Sequence, residues 1–322
     1  MKKQFRDTKI KRVKKILVTG GLGFIGSNFI KHIYNKYDYK IFNLDVKTYA
    51  ANHENIDLEI RNSGRYSLFV FDINNTERVK DLIFQNNINY IVNFAAESHV
   101  DNSINNSDPF IYSNILGTYS LLKTLHDCPS IEKYLQVSTD EVYGSLTEEE
   151  NPFTENTPLQ PNSPYSSSKA SADLLCRSFY ETFHYPILIT RCSNNYGPNQ
   201  HQEKLIPLMI KNAKAGKKLP VYGNGRNIRD WIHVSDHCSG IDAVLHGGKI
   251  GEVYNIGGQN EVRNIDIVKT ILKLLKKNED QIEFVQDRLG HDWRYAIDNS
   301  KIQNQLNWFP SVNFKEGLKQ LI

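Results

Sequence analysis

The chain of 322 residues has no apolar run approaching the roughly 18 residues that a membrane-spanning helix needs. Its four cysteines, Cys128, Cys176, Cys192 and Cys238, form no CxxC pair and share no metal-ligand spacing with histidine. Neither a disulfide framework nor a metal site is expected, and the thiols read as those of a reducing cytoplasm. No internal repeat, low-complexity tract or long linker occurs. Charge of one sign is also scarce: 39 Lys and Arg against 36 Asp and Glu leave a net +3, too little to argue for nucleic acid. The first fifteen residues, MKKQFRDTKIKRVKK, carry eight Lys or Arg against one Asp. No apolar stretch precedes the run KILVTG, so this segment reads as a solvated basic lead-in rather than a secretion signal.

What the chain does have is alternation. KILVTG (15–20), IFNLD (41–45), LFVFDI (68–73), YIVNFAA (90–96), YLQVS (134–138) and ILITR (187–191) read as strands buried on both faces. Helical stretches such as Thr76–Gln85 and Asp108–His126 lie between them. The pattern predicts an α/β fold with a Rossmann-like, doubly wound parallel sheet. After Arg191 the pattern loosens. Helices are expected at Lys204–Ala215, Ser235–His246 and Asn264–Lys276, and strands at Leu219–Tyr222, Asp230–Val234 and Glu252–Ile256. This predicts a smaller mixed α/β C-terminal lobe. The expected division is a lead-in over 1–13, a dinucleotide-binding domain over 14–191 and a mainly substrate-binding lobe over 192–322, with room for the chain to cross back.

TGGLGFIGS (19–27) follows the first strand and opens a helix, and Asp45 ends the next strand. That context makes a glycine-rich loop a dinucleotide site. Gly20 permits the tight turn, Gly23 lets backbone approach a pyrophosphate, and Gly26 lets helix pack on strand; Phe24 and Ile25 complete the loop. The helix N-terminus favours the pyrophosphate anion. Asp45 accepts from a ribose and repels a 2′-phosphate, favouring NAD over NADP. Asp72 and Ile73 are placed for the adenine, Ala95 and Ala96 leave room beside the cofactor, and Asn114 lies on the following helix.

In SPYSSSK (163–169), Ser163 caps a helix, Pro164 suits its first position, and Tyr165 and Lys169 share a face four residues apart. A lysine beside the phenol lowers a pKa that is about 10 in isolation, which makes Tyr165 usable as a base. STDEVYG (138–144) sets Asp140 and Glu141 side by side at a strand end.

Taken with AAESHVDNSI (95–104), RCSNNYGPNQ (191–200), EKLIPL (203–208), YGNGRNIRDWIHVSDH (222–237) and YNIGG (254–258), these motifs resemble those of dTDP-glucose 4,6-dehydratases. That is a family of extended short-chain dehydrogenases/reductases. The likeness spans essentially the whole chain after the lead-in. It implies that Tyr165 takes the 4-hydroxyl proton of a sugar nucleotide while hydride leaves C4 for NAD⁺, with Thr139 orienting that oxygen. It further implies that Glu141 removes the C5 proton, that Asp140 protonates the departing 6-hydroxyl, and that hydride returns to C6. Two adjacent carboxylates cannot both ionise cheaply, so one stays protonated and the pair supplies both an acid and a base.

For the substrate, the resemblance implies contacts from Ser98, Asn194, Glu203, Lys204, Leu205, Pro220, Tyr222, Arg229, Asn260, Arg288 and His291, with Asn195 on the nicotinamide side. It also implies a homodimer joined through two helices of each subunit, Asp108–Asp127 and Ser166–Phe183, which the cysteine pattern places in the cytoplasm. His99 and Asp101 read as packing or supporting residues. Leu289 stands where the family commonly has Pro. The rival readings are dehydration of UDP-glucose, a sugar-nucleotide epimerase or decarboxylase, and a non-catalytic NAD-binding protein. Adjacent Asp140 and Glu141 argue against the second, and an intact Thr139, Asp140, Glu141, Tyr165 and Lys169 against the third.

Overall fold

The computed structural model describes residues 13–322, so the basic lead-in lies outside the described residues, Val13 apart. Among the described residues twelve strands form three sheets. They are β1 (Lys15–Thr19), β2 (Lys40–Asp45), β3 (Tyr66–Val70), β4 (Tyr90–Asn93), β5 (Lys133–Thr139), β6 (Ile187–Cys192), β7 (Asn194–Tyr196), β8 (Leu219–Tyr222), β9 (Ile228–His233), β10 (Val253–Ile256), β11 (Glu261–Arg263) and β12 (Ile282–Val285). The main sheet is parallel throughout, in the order β10-β6-β5-β4-β1-β2-β3. The order reverses between β1 and β4, where doubly wound sheets open a crevice at their strand ends.

Helices cover both faces, which is why the strands are apolar on both sides. Phe29, Ile30 and Ile33 pack with Ile241, Val244 and Leu245 in one core. Val79, Leu82 and Ile83 pack with Leu121, Leu122, Leu125 and Cys176 in the other. The chain leaves this sheet after β6, builds β7, β8 and β9, and returns for β10 beside β6. The smaller lobe holds the sheets β11-β9-β7 and β12-β8 around a third core that includes Ile206, Met209, Val268 and Ile271.

Several expected boundaries move. LFVFDI stops at Val70, because the Asp72 carboxylate accepts from Asn74 N (2.8 Å) and Asn75 caps the helix Thr76–Asn86. YIVNFAA stops at Asn93, where Ala95 N turns to the Thr19 hydroxyl at 3.3 Å. The helix expected over Asp108–His126 is one turn at Asp108–Phe110, a π-helical segment over Ile111–Leu116, and an α-helix over Gly117–Asp127. The π segment carries the buried Asn114, whose bonds to neighbouring elements are described below.

Candidate active site

At the C-terminal end of β5, Thr139 caps the single-turn helix Asp140–Tyr143. Its hydroxyl donates to Asp140 Oδ1 and accepts from Glu141 N, each at 3.3 Å. Asp140 is 1 % exposed, and its Oδ2 has no hydrogen-bond partner among the described residues. Burial, then the Glu141 and Asp230 carboxylates, push the Asp140 pKa well above the usual carboxylate range, against Arg229. Burial raises Glu141 as well, but Arg288, Arg229 and Lys204 all oppose the rise. The geometry therefore separates the two carboxyls, with Asp140 the more strongly protonated.

The catalytic helix candidate runs over Pro164–Phe183, opened by a capping box between Ser163 and Ser166 with Pro164 in its first turn. Tyr165 and Lys169 are both buried on its inner face. Here the structure corrects the sequence reading. Burial and the Glu141 carboxylate hold the Tyr165 phenol well above its usual range rather than below it. Lys169 Nζ donates to Val137 O at 2.7 Å, and burial lowers its own pKa. A lysine bound to a carbonyl does not by itself offset the desolvation of a buried phenol.

The glycine loop is shaped by close approach. Gly20 has φ +67°, and a Cβ there would lie 2.7 Å from Ala95 N. No side chain caps the helix Phe24–Lys36, so its first amides are left for an external acceptor. These features fit a dinucleotide pyrophosphate. Asp45 Oδ2 accepts from Leu22 N (2.9 Å) and Oδ1 from Lys47 N (2.8 Å), so the glycine loop and the β2 end orient the carboxylate that the sequence reading assigned to a ribose.

Every candidate residue except Asn114 and Asn260 lines one cavity of about 510 Å³. It runs from Gly20, Asp45 and Asp72 past Thr139, Asp140, Glu141, Tyr165 and Lys169 to Asn194, Glu203, Lys204, Tyr222, Arg229, Arg288 and His291. Asn114 stands behind the wall. Its amide bonds Glu97 N (2.9 Å), Glu97 O (3.0 Å) and Ser168 Oγ (2.8 Å), which ties the β4 end to the Tyr165 helix. Asn260 is likewise turned to its own loop, its side-chain amide donating to Gly258 O at 3.4 Å and its backbone N–H to Asp230 Oδ1 at 2.6 Å.

Arg229 is 4 % exposed and gives Nη hydrogens to the carbonyls of Ile228, Trp293 and Asp292, with its guanidinium 4.3 Å above the Tyr295 ring. Sequence reasoning missed Tyr295, which lines the cavity and donates to Asp292 Oδ2. It also missed Glu97, Cys192 and Trp231. The YxID-like stretch around Tyr295 has no periodicity that would mark it; its contact with Arg229 is visible only in three dimensions.

The family profile described as GDP-mannose 4,6 dehydratase matches residues 17–321. The low-salt glycan biosynthesis protein Agl12 of Haloferax volcanii is 48 % identical, covering 95 % of this chain and 97 % of that protein. The crystal structure of dTDP-glucose 4,6-dehydratase from Bacillus anthracis in complex with NAD is 51 % identical with a TM-score of 0.89, covering 96 % and 95 %. That of the Streptomyces venezuelae enzyme, with NAD and dTDP bound, is 41 % identical with a TM-score of 0.92, covering 95 % of each chain. With its parallel sheet, glycine loop and paired carboxyls, this chain belongs to the GDP-mannose 4,6-dehydratase family and, within it, to the dTDP-glucose 4,6-dehydratases.

Proposed function

We propose that the protein is an NAD-dependent dTDP-glucose 4,6-dehydratase, forming dTDP-4-keto-6-deoxyglucose and water for deoxysugar biosynthesis. The observation that carries the reading is the Asp140-Glu141 pair: one carboxyl buried, with its pKa pushed well up, its neighbour faced by three cations, both beside Tyr165. Gly20, Gly23, Phe24, Ile25 and Gly26 would hold the NAD pyrophosphate, Asp45 the ribose, and Asp72 and Ile73 the adenine. NAD bound there would accept a hydride from C4 and give it back to C6, and would bring a positive charge of the sign that lowers a nearby phenol's pKa.

Tyr165 accepts the proton of the sugar 4-hydroxyl, and Lys169 and Thr139 keep that oxygen and phenol in place. Oxidation at C4 makes C5–H acidic. Glu141 takes that proton while Asp140 gives its own to the C6 oxygen, and the C5–C6 double bond forms as water leaves. With the hydride given back to C6, C5 takes its proton from Glu141; Tyr165 releases to solvent the proton it took from the 4-hydroxyl and Asp140 takes one up, which restores the site for the next turnover. Each acid–base group of this kind contributes about 10²–10⁴ in rate. Arg229, Arg288 and Lys204 offset the substrate's diphosphate charge.

A homodimer is the second part of the proposal. The segment Ile111–Leu116 and the helices Gly117–Asp127 and Pro164–Phe183 leave Ile111, Tyr112, Leu116, Tyr119, Leu174 and Phe183 exposed. An apolar stripe on neighbouring helices is the kind of surface that a second copy covers. The four buried free thiols support a cytoplasmic setting.

Mass spectrometry after incubation with dTDP-glucose, UDP-glucose and UDP-glucuronate, with no NAD added, tests the activity. Loss of one water from dTDP-glucose alone is expected. Loss from UDP-glucose instead overturns the substrate, and no change with NAD supplied overturns the enzyme.

A further inference from the structure

Asp101 lies on the short helix Val100–Asn105 of the main lobe and reaches across the cavity to the smaller lobe. Its Oδ2 accepts from the Tyr222 hydroxyl at 3.1 Å. Its Oδ1 faces Arg288 Nη1 at 3.6 Å, beyond hydrogen-bond reach, and is buried with no hydrogen-bond partner among the described residues. Arg288 Nε is also buried and unpartnered there. The two charges thus neutralise each other without filling the guanidinium's donors.

The other cavity cations are engaged differently. Arg229 is bound to backbone carbonyls, and Lys204 Nζ donates to Ser98 O at 2.9 Å. The buried ion pair Arg191–Asp173, at 2.9 Å, shows what a tight arginine–carboxylate contact looks like in this chain. Arg288 is instead held loosely, with a fork still able to take a bidentate anion.

We infer that Asp101 is a displaceable internal counter-ion for Arg288 that gives way to the substrate's diphosphate and keeps that end of the nucleotide from binding too tightly. The inference rests on the reading that Arg288 meets the diphosphate. Substrate and product carry the same diphosphate, so binding through it is uniform across the cycle: it lowers KM and slows release without helping the chemistry. A carboxylate aimed at the same arginine subtracts from that uniform term. It also keeps Arg288 and Tyr222 directed into the cavity while no nucleotide is there.

The test is calorimetric titration of dTDP into the NAD-loaded protein and its Asp101→Asn, Arg288→Gln and doubly substituted forms. Asparagine keeps the size of Asp101 and an acceptor for Tyr222, so NAD content and Tm should match wild type. Asp101→Asn is expected to tighten dTDP by about three- to tenfold. With dTDP-glucose as substrate, its KM and kcat should fall together. The tightening should vanish in the Arg288→Gln background. Equal or weaker dTDP binding by Asp101→Asn, with Arg288→Gln still impaired, overturns the counter-ion role alone. Unchanged binding by Arg288→Gln removes the diphosphate reading and the inference with it.

Discussion

The Asp140 pKa is pushed well up because the carboxyl has almost no solvent, one unpartnered oxygen and a second carboxylate beside it. Its raised pKa means the folded state binds a proton that the unfolded chain releases, so this group costs stability as pH rises above the ordinary carboxylate range. Asp140→Asn removes that cost. The expected outcome is a Tm equal to or above wild type at neutral pH, by calorimetry, together with a dehydration rate down about 10²–10⁴-fold. Activity needs Glu141 ionised and Asp140 protonated, so the pH–rate profile should be a bell whose acid limb lies above the usual glutamate range. Gly20 is fixed by a different constraint. With φ +67° and Ala95 N where a Cβ would go, Gly20→Ala should leave the purified protein with a small fraction of the wild-type NAD, read by extraction and absorbance.

Among the elements, the helices Phe24–Lys36 and Val234–Gly247 are joined through one carboxylate. Asp242, 1 % exposed, contacts Lys36 Nζ (2.6 Å), His246 Nδ1 (2.7 Å), His32 Nε2 (3.0 Å) and Tyr37 OH (3.0 Å). Burial raises its pKa, but the hydrogen bonds from His246, His32 and Lys36 outweigh it and hold the group below its ordinary value. Its stabilisation is therefore present above about pH 4 and lost as pH falls through the folded value. Asp242→Ala should cost about 1–3 kcal/mol in urea unfolding at neutral pH, with the deficit shrinking in acid. The hub was not legible in the sequence, because His32, Lys36 and Tyr37 lie more than 200 residues from Asp242. The six strands of the main sheet before Arg191 were legible, since two-sided burial writes itself as continuous apolar runs. β7, β11 and β12 were not: three or four residues with polar or exposed positions carry no usable period. The π-helical segment escaped for another reason, as Asn114 is set by Glu97 and Ser168, not by its neighbours in sequence.

For the whole molecule, the site is a cleft between the ends of the parallel strands and a lobe that the chain makes before and after β10. The motifs told which residues gather there, because glycine spacing, Tyr165-Lys169 and Asp140-Glu141 are local patterns. They did not tell how the lobes meet: Tyr49–Glu203, Lys204–Ser98 and Tyr222–Asp101 all cross the cavity mouth from distant segments. The exposed stripe around Tyr119 and Leu174 should be covered in solution. Light scattering is expected to give twice the chain mass of 37.1 kDa, and Leu174→Glu to shift the protein toward monomer.

The account turns on the two carboxyls, and Glu141→Gln mixed rapidly with dTDP-glucose tests it most directly. The predicted result is that reduced-nicotinamide absorbance appears and persists, while no water is lost and no solvent deuterium enters C5. Dehydration near the wild-type rate in this variant would contradict the account, because the proton from C5 would then have left by another group.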